Sequence, residues 1–105
     1  MRIIAGHLRG QILNIPTNKN TRPLKDMVRE SIFNLLNHSN KISFKIKNSN
    51  VLDLYAGTGS FGLECLSREA KYVNFVENEK VVFNILQNNI EKLNIKKKTK
   101  IFFND

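Results

Sequence analysis

One short segment, VLDLYAGTGSFG at residues 51–62, constrains the fold of this chain more than any other feature. Its glycines, Gly57, Gly59 and Gly62, spell G-x-G-x-x-G directly after a short apolar run. The pattern is typical of a tight turn between a β-strand and an α-helix, where backbone N–H groups face a ligand. A Cβ at Gly57 or Gly59 would collide with that ligand or require a disfavoured φ, whereas Gly62 eases helix packing. The segment therefore predicts an α/β fold with a ligand site at this turn.

The residues after the turn predict two further strands that alternate with helices. We expect a helix over 60–70, a strand over 72–77, a helix from Glu79 with Asn78 as its cap, and a strand over 101–105 after the basic turn 96–100. The apolar face of the second helix is predicted to contain Val81, Val82, Ile85, Leu86, Ile90 and Leu93. A β-α-β-α-β order predicts parallel strands and right-handed crossovers, which is half of a doubly wound sheet. Because its first strand would lie at an open edge, we expect a fragment or a truncated product.

The first fifty residues follow a different pattern. Residues 2–15 alternate loosely around Arg9 and Gly10, which predicts a β-hairpin. After a polar loop, a helix is predicted from Pro23, with Asp26 complementing the dipole of its first turn. Its apolar positions are Met27, Val28, Ile32, Leu35 and Leu36. We therefore divide the chain into an N-terminal part, 1–50, and a sheet-forming part, 51–105.

The charge of the chain points to a polyanionic partner. A formal net charge of +8 over 105 residues fits a nucleic acid, although a lysine-rich solvated surface gives the same value. Placement favours RNA, because no acidic residue precedes Asp26. The basic residues within the first 22 positions are Arg2, His7, Arg9, Lys19 and Arg22. Phosphate contacts from such a segment would position an RNA, although a histidine such as His7 more often packs locally.

The remaining composition bears on the cellular compartment. The single cysteine, Cys65, lies in the apolar run GLECLS, which predicts a buried packing role in a reducing compartment. The N-terminus lacks the uninterrupted apolar region of a signal peptide, and no run reaches the length of a membrane span. We therefore predict a cytoplasmic chain with no membrane partner, and we assign no metal site.

A carboxylate beside the turn indicates which ligand it binds. Asp53 would oppose the phosphates of a dinucleotide, but it suits the sulfonium and ammonium groups of S-adenosylmethionine. Glu77, at the end of the second strand, is placed to accept from ribose hydroxyls, which an NAD site would also require. Asp105 ends the third strand, where an adenine amino group could be held. Asp53 thus favours S-adenosylmethionine over NAD.

The whole chain resembles a known family. The segments RIIAGHLRG, TRPLKDMVRESIFNLL and VLDLYAGTGSFGLECLSREA, followed by FVEN, resemble the bacterial 16S ribosomal RNA guanine-N2 methyltransferases of the RsmD type. The resemblance implies a Rossmann-like, class I fold and methyl transfer from S-adenosylmethionine to a guanine amine in 16S ribosomal RNA. The implied partner is that RNA, or the small-subunit particle in assembly. The most specific segment is R-P-x-x-D-x-V-R-E-x-x-F-N, at residues 22–34.

The resemblance also implies roles for individual residues. The implied cofactor-binding residues are Asp53, Gly57, Thr58, Gly59, Glu77 and Asp105. The residues implied to approach RNA or to shape the cofactor pocket are Arg2, His7, Arg9, Arg22 and Arg29.

The family's catalytic motif is missing from this sequence. That motif is Asn or Asp followed by Pro-Pro-Tyr or Pro-Pro-Phe, whereas the only prolines here are Pro16 and Pro23. We therefore assign no catalytic residue and expect that this chain alone does not methylate RNA, since positioning of the guanine provides most of such catalysis. A non-catalytic, truncated RNA-binding module stays open as an alternative, whereas Asp53 disfavours a third function, an NAD-dependent oxidoreductase.

Overall fold

The computed structural model describes residues 1–15, 26–38, 45–54 and 56–104, with only the backbone described for 26–29, 37 and 38. Its helices are α1 (Asp26–His38), α2 (Ser60–Ser67) and α3 (Lys80–Lys92). Its strands are β1 (Asn50–Leu54), β2 (Tyr72–Glu77) and β3 (Thr99–Phe103), with a 3-10 helix at Lys96–Lys98 before β3. None of the described helices is long and apolar enough to cross a membrane.

The three strands form a parallel sheet in the order β1-β2-β3. The predicted β-α-β-α-β order is therefore confirmed. The register pairs Asp53 with Phe75 and Glu77 with Phe103, so the carboxyl ends of the strands meet at one edge. Within the described sheet β1 pairs only with β2, and its Leu52 and Leu54 side chains are exposed on one face.

Helix α2 packs closely on the sheet because Gly62 has no side chain. A Cβ at Gly62 would lie 2.3 Å from Cε1 of Phe75 and 3.0 Å from Cγ1 of Val73, and both of these side chains are fully buried. The predicted packing role of Gly62 is confirmed. The helix ends at Ser67, earlier than predicted, because Glu69 adopts a left-handed φ of 75°.

The predicted apolar face of α3 is correct in outline and wrong at its first position. Val82, Leu86, Ile90 and Leu93 are buried, but Val81 is 63% exposed. Buried positions separated by three or four residues define the stripe, and position 81 lies about 100° away from it. The predicted cap is also wrong: Glu79 occupies the N-cap position of α3, with no side-chain cap hydrogen bond.

Helix α1 is anchored by a residue that its predicted face omitted. Phe33 is fully buried and stacks on Phe61 of α2 at 5.2 Å, while the Arg68 guanidinium lies 4.4 Å from the Phe33 ring centre. Leu35, which we predicted on the apolar face, is 57% exposed. The stacking and the cation–π contact fix which side of α1 is inward. The side chains of Met27 and Val28 and all of Pro23 lie outside the described residues.

The N-terminal arm, residues 1–15, retains only part of the predicted hairpin. Its antiparallel pairing is present as a single bridge between Arg2 and Ile12, and the intervening residues form turns instead of strands. The reason is that backbone N–H groups of the arm bind α2: Ile4 and Ala5 donate to the Glu64 carboxylate at 2.8 and 3.0 Å. Those amides are therefore not available for a strand ladder. Residues from both halves of the chain contribute to one hydrophobic core, including Ile3, Leu13, Phe33, Ile46, Leu63, Phe75 and Leu86.

Candidate functional site

The glycine turn between β1 and α2 is built by backbone hydrogen bonds. Ala56 N–H donates to Val76 O at 2.9 Å, and Gly59 N–H donates to Ala56 O at 3.0 Å. Gly57 and Gly59 have φ angles of 61° and 91°, in the left-handed region that favours glycine. Gly59 is also the N-cap residue of α2, so the turn presents the first backbone amides of that helix.

The two glycines serve different purposes. A Cβ at Gly57 would meet no heavy atom of the described residues within 4 Å, which leaves space for a ligand beside it. A Cβ at Gly59 would lie 2.6 Å from Cδ1 of Leu86 and 3.0 Å from Cδ1 of Leu63, both inside the core. We predicted that both glycines admit a ligand. For Gly59 the structure gives a different reason, which is core packing.

The Glu77 carboxylate holds the turn in place. Its Oε1 accepts from Gly57 N–H at 2.8 Å, and its Oε2 accepts from Glu79 N–H at 2.9 Å. The residue is only 7% exposed, which excludes a solvated strand end. Glu77 therefore joins the glycine turn to the start of α3. Each oxygen keeps a second lone pair that a ribose hydroxyl could use.

Asp53 lies buried beside the first turn of α2. Its Oδ2 accepts from Gly62 N–H at 3.2 Å, which satisfies one of the free amides at the helix N-terminus. Burial raises the pKa of Asp53 to about 6; the Gly62 hydrogen bond opposes this shift, and the nearby Glu77 charge adds to it. Because burial disfavours the ionised carboxylate, a cationic ligand at this position would be strongly favoured.

Thr58 contributes its backbone to this site. The residue is buried at 6% exposure, and its carbonyl accepts from Asn89 Nδ2 at 2.9 Å. Asn89 lies on α3 and is fully buried. We did not predict Asn89 as a site residue. A polar residue in the otherwise apolar stripe of α3 was the signal that could have identified it.

The end of β3 completes the edge of the site. Asn104 N–H donates to Glu77 O at 3.0 Å, while the predicted adenine ligand Asp105 lies outside the described residues. Phe103, paired with Glu77 in the register, is 52% exposed. Lys80 Nζ lies 5.1 Å from the centre of its ring. An exposed aromatic ring beside Glu77 is therefore a second feature that we did not predict.

The residues predicted to approach RNA are only partly described. Arg2, His7 and Arg9 lie in the N-terminal arm, whereas Arg22 and the side chain of Arg29 lie outside the described residues. His7 Nδ1 lies 3.1 Å from Ser67 O, at the C-terminal end of α2. Because the glycine turn is at the other end of this eight-residue helix, His7 is about 12 Å from the turn along the helix axis.

His7 opens onto a basic groove that the sequence did not predict. The groove has a volume of about 720 Å³ and is lined by His7, Leu8 and residues 93–98, including Lys96, Lys97 and Lys98. All three lysines are exposed, as expected of solvated surface residues. The structure brings them together with the N-terminal arm.

Comparison with known proteins identifies the family. A family model described as conserved hypothetical protein 95 matches residues 1–105. A Haemophilus influenzae relative named ribosomal RNA small subunit methyltransferase D is 43% identical over 93 residues, covering 89% of this chain and 45% of the relative. The putative rRNA methyltransferase YlbH of Bacillus subtilis is 33% identical over 105 residues, covering 100% of this chain and 54% of the relative.

A solved structure shows the same architecture. The putative methyltransferase yhhF from Escherichia coli superposes with a TM-score of 0.83 at 33% identity, covering 100% of this chain and 53% of that chain. The fold is thus that of the first half of a Rossmann-like methyltransferase sheet. The chain belongs to the conserved hypothetical protein 95 family, which confirms the RsmD-type resemblance. It spans about half the length of the curated relatives that it matches.

Proposed function

We propose that this chain forms the cofactor-binding part of a methyltransferase that uses S-adenosylmethionine to methylate the N2 amine of a guanine in 16S ribosomal RNA. The single observation that carries the cofactor assignment is the buried Asp53 carboxylate beside an open glycine turn. The RNA substrate is supported by the names of the relatives, which describe ribosomal RNA methyltransferases.

The geometry supports a different role for each residue around the cofactor. Asp53 would face the sulfonium and ammonium groups, and the open space at Gly57 would admit the methionine end. Glu77 would accept hydrogen bonds from the ribose hydroxyls, through the lone pairs that its hydrogen bonds with backbone N–H groups leave free. The exposed Phe103 ring would offer an apolar surface to the adenine. Asp105 keeps its predicted role at the adenine amino group.

The same geometry disfavours an NAD-dependent oxidoreductase. A pyrophosphate is stabilised by free amides and the positive end of a helix dipole. Here Asp53 already accepts from Gly62 N–H and places a carboxyl group at that helix end. An anionic ligand would meet this group in a buried, weakly screened position, which is unfavourable.

A second function is favoured by the basic groove. Lys96, Lys97, Lys98 and His7 line one surface, and such a cluster binds phosphates with strong salt dependence. A chain that binds RNA through this groove without a cofactor would be a non-catalytic RNA-binding module. In the leading proposal, the same groove would position the RNA while the cofactor site supplies the chemistry.

Calorimetric titration with S-adenosylhomocysteine and S-adenosylmethionine tests the cofactor assignment. We expect saturable binding to the wild-type chain, weaker binding to Asp53→Ala and unchanged binding to Glu91→Gln, which removes an exposed charge on α3. NADH should not compete. Salt-dependent RNA binding without any saturable cofactor site would instead support the RNA-binding module, and tighter pyrophosphate binding by Asp53→Ala would support an NAD site.

The absence of the family's catalytic motif from the sequence adds a separate expectation. The purified chain should transfer no more methyl to 16S ribosomal RNA than Asp53→Ala does, because the sequence lacks the motif that would hold the guanine amine in line with the methyl group. Methyl transfer by the wild-type chain clearly above that of Asp53→Ala would contradict this expectation.

A further inference from the structure

The buried Asn89 side chain connects two parts of the molecule that are far apart in sequence. Its Oδ1 accepts from Asn14 N–H at 2.7 Å, and its Nδ2 donates to Asn14 O at 3.0 Å. The same Nδ2 donates to Thr58 O at 2.9 Å. One amide group therefore uses its acceptor and its donor group to hold the N-terminal arm and the glycine turn together.

The contact with Asn14 resembles the pairing of two β-strand residues. Both backbone groups of Asn14, which is itself exposed, are satisfied by the fully buried side chain of Asn89. Removing the Asn89 side chain would leave the buried Thr58 carbonyl without this donor and would open the Asn14 backbone groups to water. Asn89 in this rotamer therefore contributes to holding the arm at Asn14.

The contact with Thr58 fixes the orientation of a peptide within the turn. Thr58 lies between Gly57, whose N–H donates to Glu77, and Gly59, which caps α2. The Thr58 carbonyl is held by Asn89 on the side that faces α3. A ligand that stabilises the present shape of the turn would therefore also stabilise the Asn89 amide in its present hydrogen bonds.

We propose that Asn89 is a positioning residue that couples occupancy of the glycine turn to docking of the N-terminal arm. This inference rests on the proposed cofactor function of the turn. Because coupling between two sites is reciprocal, a docked arm raises the affinity of the turn for its ligand, and a bound ligand holds the arm more firmly. The arm carries Arg2, His7 and Arg9, so the coupling would join cofactor binding to the surface proposed to meet RNA.

Other contacts of the arm provide a matched control. Lys92 Nζ donates to Ile12 O at 2.8 Å on the protein surface, one turn beyond Asn89 on α3. Lys92 touches the arm without any hydrogen bond to the turn among the described residues. Lys92→Met should therefore loosen the arm without breaking the connection to Thr58.

Amide hydrogen exchange at Asn14, with and without S-adenosylhomocysteine, tests the coupling. In the wild-type chain we expect the ligand to slow exchange at Asn14 by about tenfold, within the range typical of coupled sites. In Asn89→Ala, the ligand should bind about tenfold more weakly and leave exchange in residues 11–15 unchanged. In Lys92→Met, exchange should be faster without ligand, yet the slowing on ligand addition and the affinity should persist.

The possible results separate this inference from the proposed function. No ligand binding by the wild-type chain would refute both the cofactor assignment and the coupling. Binding without any change at Asn14 would refute the coupling alone. If the ligand slows arm exchange equally in Asn89→Ala, the connection runs through other residues and Asn89 is only structural. Should Asn89→Ala not fold, the response of Asn14 in the wild-type chain and in Lys92→Met still decides whether the arm responds to the turn.

Discussion

Replacing Asp53 with Asn tests whether the buried Asp53 carboxylate lowers the stability of the folded chain. Burial is the main cause that raises the pKa of Asp53 from 3.8 to about 6, while the Gly62 hydrogen bond lowers it and the Glu77 charge raises it further. A shift of roughly two pKa units corresponds to about 3 kcal/mol. Asn keeps an acceptor for Gly62 N–H and has no charge to bury. We therefore expect Asp53→Asn to be more stable than wild type at pH 7.5, by up to about 3 kcal/mol.

The size of this effect depends on pH in a defined window. Because the raised pKa means that the folded state binds a proton more tightly than the unfolded chain, Asp53 lowers stability as pH rises. The destabilisation is absent below about pH 4, develops between pH 4 and 6, and is complete above about pH 7. The Asn variant lacks this component, so the difference between the two free energies of unfolding should grow across that window.

Urea unfolding of both chains at pH 4, 5, 6 and 7.5 measures this difference. Glu91→Gln, which removes an exposed carboxylate from α3, should show no comparable pH-dependent gain. Titration with S-adenosylmethionine at pH 7.5 should show weaker binding to Asp53→Asn, so that the more stable chain is the poorer binder. A stability difference that stays constant from pH 4 to pH 7.5 would refute the reasoning, because it would show that the pKa of Asp53 is not raised in the folded chain.

Three further substitutions and one chemical reaction test other parts of the molecule. Gly59→Ala should lower the free energy of unfolding, measured in urea, by about 2 kcal/mol, because its Cβ enters the core. Gly57→Ala should lower the free energy of unfolding by only about 1 kcal/mol. It should, however, weaken cofactor binding more than Gly59→Ala does, as calorimetry would show. Glu64→Gln should release the N-terminal arm and speed trypsin cleavage after Arg9, since an amide cannot accept all the bonds that the carboxylate accepts; an unchanged cleavage rate would contradict this. Burial raises the pKa of Cys65 to about 12, so iodoacetamide at pH 8 should label the chain, by mass spectrometry, only after unfolding in urea.

The sheet and its two flanking helices could be predicted because their signals are local. An apolar run before a glycine turn, and apolar spacing of three or four residues, identify β1, α2, β2 and α3 without any long-range information. The positions of Asp53 and Glu77 at strand ends follow from the same pattern, because parallel strands end at one edge. The site could therefore be located from sequence to within a few residues.

The N-terminal arm could not be predicted because its partners are distant in sequence. Its alternation favours a hairpin, but its amides bind Glu64, about sixty residues away. Side-chain acceptors that replace a strand partner leave no periodic signal. The same reason explains why Asn89, which pairs with Asn14 and Thr58, was not recognised. The errors at Val81 and Leu35 are of another kind, since several positions of a short amphipathic helix satisfy the apolar period equally well.

The two carboxylates of the site explain how it can be rigid and still selective. Glu77 uses both oxygens to hold Gly57 N–H and Glu79 N–H, so the turn has its shape before a ligand arrives. A preformed turn loses little conformational entropy on binding, which leaves more of the interaction energy for affinity. Asp53 is held nearby with its pKa raised toward 6 by burial, and a cationic ligand gains more from that carboxylate than it would from a solvated one. In the proposed cofactor site, Glu77 would therefore supply rigidity and Asp53 charge selectivity, so that Asp53→Glu combined with Glu77→Asp should weaken cofactor binding although both residues stay acidic.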